Sequence, residues 1–159
     1  MTRALRQELK LARAFRSPEH AAYTGLLLTA DALKGRLVLL LKEHGLSEPQ
    51  YNLLRILRGA DGPLPSLEAA RRMVTRLPDI TRLVDRLEAA GLVSRCRCPE
   101  DRRVVHLALT DDGARALADL DGPVDQLLAD LLGHMTRREL KDLGSLLDRA
   151  REQVRRTTD

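Results

Sequence analysis

The feature that most constrains this chain is a change of hydrophobic period in its middle third. Up to Gly91 the apolar residues recur every three or four positions, which is helical spacing. From Leu92 the period drops to two. Leu92-Val93-Ser94-Arg95-Cys96-Arg97 and Val104-Val105-His106-Leu107-Ala108-Leu109 both alternate, and Pro99-Glu100-Asp101 between them is a turn, so a β-hairpin is expected. After Thr110 the helical period returns and persists to Val154. The fold class is therefore mainly α, with one short β-element set among helices.

Helix punctuation divides the remainder. A short helix is expected over residues 3–16, ended by Ser17-Pro18, and a long one over 20–44, with Gly45 at its C-terminal cap. Ser47-Glu48-Pro49-Gln50 reads as a capping box for a helix running to Gly59. Asp61 to Pro65 reads as a loop, and Ser66 as the cap of a short helix over Leu67–Met73. Thr75 is the expected cap of the next helix, with Pro78 tolerated in its first turn and Ile80, Leu83, Val84 and Leu87 as its apolar face. Thr110 caps a further helix that Gly122-Pro123 should bend and Gly133-His134 should end. Thr136-Arg137-Arg138-Glu139 is a full capping box for the last one.

Helix, short helix, turn, helix, hairpin is the order of a winged helix-turn-helix. A DNA major groove admits one α-helix, and the first turns of the second helix of such a unit reach base edges. The candidate reader is Pro78–Ala90, whose non-apolar positions are Asp79, Thr81, Arg82, Asp85, Arg86 and Glu88. Arg82 and Arg86 lie one turn apart and share a face. The hairpin adds Arg95 and Arg97, with Arg102 and Arg103 at a tip suited to a narrow minor groove, where the potential is most negative. The bland alternative is that Arg95 and Arg97 merely solvate one hairpin face. Charge follows the same division. Net charge is +3 over residues 1–50, +4 over 51–110 and −3 over 111–159, which fits one basic working face. Aromatics are 2% of the chain, too few for a fold that stacks single-stranded bases. The expected DNA contacts are Ser66, Pro78, Asp79, Thr81, Arg82, Arg86, Arg95, Arg97, Arg102 and Arg103.

The string Ile80-Thr81-Arg82-Leu83-Val84-Asp85-Arg86-Leu87-Glu88-Ala89-Ala90-Gly91-Leu92-Val93 resembles the recognition helix and first wing strand of the multiple antibiotic resistance regulator (MarR) family of bacterial transcription factors. Asp101-Arg102-Arg103, followed by Leu109-Thr110 and Gly113, is similar to that family's wing signature. The flanking helices fit as well, so the resemblance covers nearly the whole chain. It implies an obligate homodimer, operator binding, and often release by a small phenolic or aromatic ligand or by oxidation. The expected division is a winged helix-turn-helix over 46–110, embedded in an intertwined helical homodimer built from 1–45 and 111–159. A local argument supports the dimer: segments 3–41 and 117–154 carry more apolar stripe than a wing domain can cover. The expected function is a regulator, a repressor in sense, acting on double-stranded DNA at a pseudo-palindromic operator. A nonspecific or architectural DNA-binding protein, and a winged helix that binds a partner protein, remain as alternatives.

Other constellations carry less. Cys96 and Cys98 are too few for a disulfide scaffold, so a reducing cytoplasm is expected, and they read as inert wing thiols. His20, His44, His106 and His134 show no metal spacing, and no catalytic cluster or phosphate loop appears, so neither cofactor nor enzyme activity is expected. A small-molecule pocket would be lined by His20, Tyr51 and Arg55 where the long helix meets the next. The first sixteen residues are charged and amphipathic rather than a signal peptide, and Leu26–Leu41 is interrupted by Asp31, Lys34 and Arg36, so no membrane span is expected.

Overall fold

A computed structural model gives the fold and describes residues 2–10, 13–75, 79–97 and 104–156. In chain order the elements are α1 (Thr2–Glu8), α2 (Pro18–Glu43), α3 (Glu48–Arg58), β1 (Leu64–Pro65), α4 (Ser66–Arg72), α5 (Ile80–Ala89), β2 (Val93–Arg97), β3 (Val105–Leu109), α6 (Asp111–Leu132) and α7 (Arg137–Arg156). The chain divides into two compact units, Met1–Val124 and Asp125–Asp159.

The helix ends are fixed by local chemistry. The Ser17 hydroxyl accepts the His20 backbone N–H at 3.3 Å to start α2. At the other end Gly45 takes φ +72°, the Leu46 N–H reaches the Leu41 carbonyl at 3.0 Å, and the Gly45 N–H reaches that of Lys42 at 3.1 Å. Helix α5 closes the same way. Gly91 has φ +72°, and Leu92 and Gly91 donate to the carbonyls of Leu87 and Glu88, each at 2.9 Å. Both are Schellman ends, whose left-handed residue favours glycine. Gln50 Oε1 accepts from the Ser47 backbone N–H at 2.9 Å and from its hydroxyl at 2.8 Å. Thr136 and Glu139 form the reciprocal box that opens α7, with Thr136 N–H donating to Glu139 Oε2 at 2.8 Å and Glu139 N–H to Thr136 Oγ1 at 3.3 Å.

Several boundaries differ from the sequence expectation. The first helix stops at Glu8 rather than Arg16, because Lys10 turns into the left-handed region at φ +50°. So short a helix needs a tertiary partner, and it finds one where the Leu5 side chain rests beside Gly25 of α2. Residues Leu64–Pro65 are a strand, not loop, because they pair with Leu107 and His106 of β3. Ser66 is the first residue of α4, and Pro65 holds the cap position. Thr75 does not cap α5. Asp79 has non-helical backbone angles and its carboxylate accepts the Arg82 N–H at 3.1 Å, so the helical ladder begins only at Ile80. Helix α6 ends at Leu132, before Gly133-His134 as expected, with Gly122 and Pro123 inside it. The expected 99–101 turn lies outside the described residues.

The three strands form an antiparallel sheet in the order β1-β3-β2, with β2 and β3 in register from Val93 opposite Leu109 to Arg97 opposite Val105. The core lies between this sheet and the helices: Leu53 and Leu54 of α3, Leu87 of α5, Leu107 of β3 and Leu117 of α6 are all fully buried. The start of α6 is locked onto the turn that ends α5. Thr110 donates its backbone N–H to the Leu92 carbonyl at 3.2 Å and its hydroxyl to that of Gly91 at 2.7 Å, and the same hydroxyl accepts the Gly113 N–H at 3.0 Å. A Cβ on Gly113 would stand 2.2 Å from the Leu92 carbonyl oxygen. Further along α6, Asp121 receives two hydrogen bonds from the Arg58 guanidinium of α3, both at 2.8 Å.

Long apolar side chains remain uncovered. On α2, Tyr23, Leu26, Leu27 and Leu39 are exposed. In the second unit α7 buries none of its residues, and Leu140, Leu143, Leu146 and Val154 all face outward.

Three substitutions test this description. Gly113→Ala should cost roughly 3 kcal/mol or more, because the new methyl meets backbone rather than a yielding side chain. Gly35→Ala, with open space around the site in α2, should instead gain up to about 1 kcal/mol. Urea unfolding compares the two. The hydrogen bonds from Arg58 hold the Asp121 carboxyl below the usual aspartate range. A carboxyl depressed in the folded state adds stability above its unfolded value and loses it as pH falls through the folded one. Asp121→Asn should therefore be less stable than wild type at neutral pH, with the gap closing below about pH 4. Unfolding curves across a pH series check it, and a gap that persists undiminished in strong acid contradicts the assignment.

Candidate nucleic-acid interface

Helix α5 is held by its apolar side. Leu83, Val84 and Leu87 are buried in the core, and this leaves Thr81, Arg82, Asp85, Arg86 and Glu88 exposed along the other side. Asp79 fixes where the helix starts. Its carboxylate takes the Arg82 backbone N–H and also lies 3.1 Å from the Arg82 Nε. That ion pair is a surface contact, with 82% of the Arg82 side chain in solvent, so it restrains the guanidinium only weakly. Arg86 is exposed as well, and the carboxylates beside it in sequence, Asp85 and Glu88, are engaged by Arg95. Helix α4 precedes α5 in a helix-turn-helix order. Asn52 of α3 accepts the Val74 N–H at 3.0 Å and so pins the chain as it leaves α4.

The predicted contact residues fall into three groups. Thr81, Arg82 and Arg86 come together on the open face of α5, as the helical spacing requires, with Asp79 at its cap. Ser66 stands half-buried at the first turn of α4. Pro78, Arg102 and Arg103 lie outside the described residues, as does the side chain of Arg97, the last residue of β2.

Arg95 departs from the reading of a solvated hairpin face. Opposed residues of an antiparallel pair share a face, so Arg95 shares one with Leu107 and, two residues back, with Val93, both buried. Its side chain is 26% exposed, and its guanidinium hydrogen-bonds Asp85, Glu88 and the Thr81 carbonyl of α5. Partial burial opposes its charge, and the hydrogen bonds it donates to the two carboxylates outweigh that, so its pKa rises above the ordinary value. Cys96 lies on the opposite face of the strand, exposed, with Sγ 3.9 Å from the His106 carbonyl oxygen.

Sequence reasoning missed the roles of Asn52 and of the Arg95 cluster. Asn52 gave no signal, because its partner is a backbone group 22 residues away. The Arg95 cluster had one, the alternation Val93-x-Arg95 that sets the arginine on the face of a core valine.

The residues considered for a small ligand are dispersed in character. Tyr51 is buried, and the Arg55 guanidinium sits over its ring, 5.7 Å from the centroid. His20 is exposed in the first turn of α2 and meets Phe15 edge-on with centroids 5.7 Å apart. An open cleft of about 410 Å³, lined in part by Gly59, Asp61, Leu64 and Arg72, includes none of the three. Among the described residues no group of His, Cys, Asp and Glu is arranged to hold a metal ion, and no helix is long and apolar enough to cross a membrane.

Comparison with known proteins gives the interface its context. The family model for the MarR family matches residues 46–105. The HTH-type transcriptional regulator FarR of Neisseria gonorrhoeae is 30% identical over 129 residues, spanning 79% of this chain and 88% of FarR. The crystal structure of a MarR transcription factor from Planctomyces limnophilus is 43% identical with a TM-score of 0.66, over 84% of this chain and 98% of that one. A mutant of E. coli MarR, solved in complex with operator DNA, is 25% identical with a TM-score of 0.72, over 79% and 89%. The matched segment runs from just before α3 to the first residue of β3 and so contains α5, its Asp79 cap and Arg95; with a relative of that identity aligned over most of both chains, this protein belongs to the MarR family of transcriptional regulators.

Proposed function

We propose that the protein is a sequence-specific transcriptional regulator that binds a pseudo-palindromic operator as a homodimer and acts as a repressor. The observation that carries this reading is the open face of α5, where Thr81, Arg82 and Arg86 stand exposed on a helix held by Leu83, Val84 and Leu87. These three residues read the major groove, and Asp79 positions them by fixing the helix start. Ser66, at the first turn of α4, and Arg97 are assigned to phosphates, which set register rather than sequence. Arg102 and Arg103, with Pro78 before the reader, complete the contact set, the two arginines reaching the minor groove. The operator complex of a MarR relative supports the class of ligand.

The dimer accounts for the uncovered side chains. A helix such as α7, amphipathic yet with no buried residue, is stable only when something covers its apolar stripe. A second copy does so and also duplicates the reader helix, as a two-fold operator demands. The family relationship supports a small aromatic effector, for which Tyr51 with Arg55 stacked on it is the candidate contact and His20 a second. A regulator that binds operator DNA is assigned to the cytoplasm.

Arg82→Ala should cost roughly 1–3 kcal/mol in operator binding and relax preference at one position of each half-site. A duplex selected from a random pool by the wild-type protein is the probe, and equal affinity and equal preference for the variant remove Arg82 from the readout. Replacing Leu143 and Leu147 with Asp should abolish the dimer, as sedimentation would show, and with it binding to half-sites spaced about 10 bp or a multiple apart. A wild-type chain that sediments as a folded monomer at micromolar concentration would falsify the assembly.

A further inference from the structure

Helix α5 carries an apparent contradiction. Its exposed side holds Thr81, Arg82 and Arg86, suited to DNA, yet also Asp85 and Glu88, which phosphates repel. The two carboxylates are three residues apart, on one face of the helix, where like charges also repel each other. With side-chain exposures of 56% and 41% they are not hidden by packing. What answers them is Arg95, reaching across from β2. Its Nη2 lies 2.5 Å from Asp85 Oδ1 and 3.3 Å from the Thr81 carbonyl oxygen, and its Nη1 donates to Glu88.

We infer that Arg95 is a positioning residue for sequence readout: it ties the wing strand to the reader helix, sets that helix's rotation and depth, and engages two carboxylates that would otherwise face DNA, offsetting one of their two charges. This rests on the DNA-binding reading above. The geometry gives three reasons. Thr81, Asp85 and Glu88 are spaced four and three residues apart, so the contacts of one guanidinium span two turns along one side of α5. A tie at one point leaves a helix free to roll, and a tie across two turns does not. Second, Arg95 projects from the sheet face that carries Val93 and Leu107, so its stem is anchored beside the core and its position is inherited from the sheet. Third, the task needs a planar fork. A lysine ammonium on this strand is a point charge and cannot address both carboxylates and the carbonyl in fixed directions. With its donors turned toward α5, Arg95 is not a phosphate contact, although sequence alone groups it with the wing arginines. Arg82 and Arg86 depend on it, because they extend from the helix it orients.

The test uses the full-length protein and two probes, a duplex selected from a random pool by the wild type and an unselected duplex of equal length. Arg95→Lys keeps the charge and removes the fork. The expected result is unselected binding within about twofold of wild type and a preference for the selected duplex reduced about tenfold, the loss of one good base contact. The double variant Asp85→Asn with Glu88→Gln should bind the unselected duplex more tightly while losing preference to a similar degree. Adding Arg95→Lys to it should lower preference no further, since all three residues serve one tie. Thermal unfolding of each variant confirms that folded proteins are compared. An Arg95→Lys variant with wild-type preference overturns the tie, as does a loss of equal size on both duplexes, which marks a phosphate contact. A wild-type protein that selects no duplex overturns the DNA reading itself, and the tie with it.

Discussion

The contact between Gly113 and the Leu92 carbonyl is the point at which the rest of the molecule is joined. A side chain of any size at position 113 would collide with that oxygen, so the start of α6 reaches the turn after α5 only because the residue there is glycine. Around it the Thr110 hydroxyl serves as donor to Gly91 and acceptor from Gly113, while its backbone N–H takes Leu92. The end of α5, the approach to β2 and the beginning of α6 are thereby one hydrogen-bonded knot. Leu117 and Leu120, one and two turns on, drop into the core because the helix starts where the knot puts it. Arg58 and Asp121 close the far side, tying the end of α3 to the same helix.

A rigid frame matters here because readout is a problem of position. Base contacts carry sequence only if the side chains that make them arrive within hydrogen-bond reach, and phosphate contacts alone give attraction without preference. The structure answers with redundancy around α5: a cap at Asp79, three buried side chains beneath, a Schellman end at Gly91, and the Arg95 guanidinium along one side. Charge is arranged with the same economy. Acidic groups on the reader helix are paired to arginine across the sheet instead of being absent.

Much of this was legible in the residues. The period change at Leu92 located the hairpin to within one residue at each described end, and the alternation of Leu83, Val84 and Leu87 with polar neighbours gave the buried and open sides of α5 as they stand. Ser47, Thr110 and Thr136 stand at helix starts as expected, because the groups that pair at a cap lie within three residues of each other. The failures were long-range. Leu64–Pro65 became a strand through pairing with residues more than forty positions away, and α1 stopped at Glu8, with Lys10 in the left-handed region beyond it. Thr75 was the expected cap of α5, but the residue that caps it is Asp79, whose carboxylate takes the Arg82 N–H.

The sequence by itself therefore determined most of the elements, their order, most of their caps and the positions of the exposed arginines of α5, since each follows from spacing within a few turns of one chain. The tertiary structure alone decided what Arg95 does. Read along the strand it is one of four wing arginines, all equally suited to DNA. Only the register of β2 on β3 puts it on the face of Val93 and Leu107, and only the packing of α5 against that face brings Asp85 and Glu88 within its reach. A charge on the core-facing side of a sheet must find partners there, and the partners it found belong to another element, whose approach no local pattern encodes.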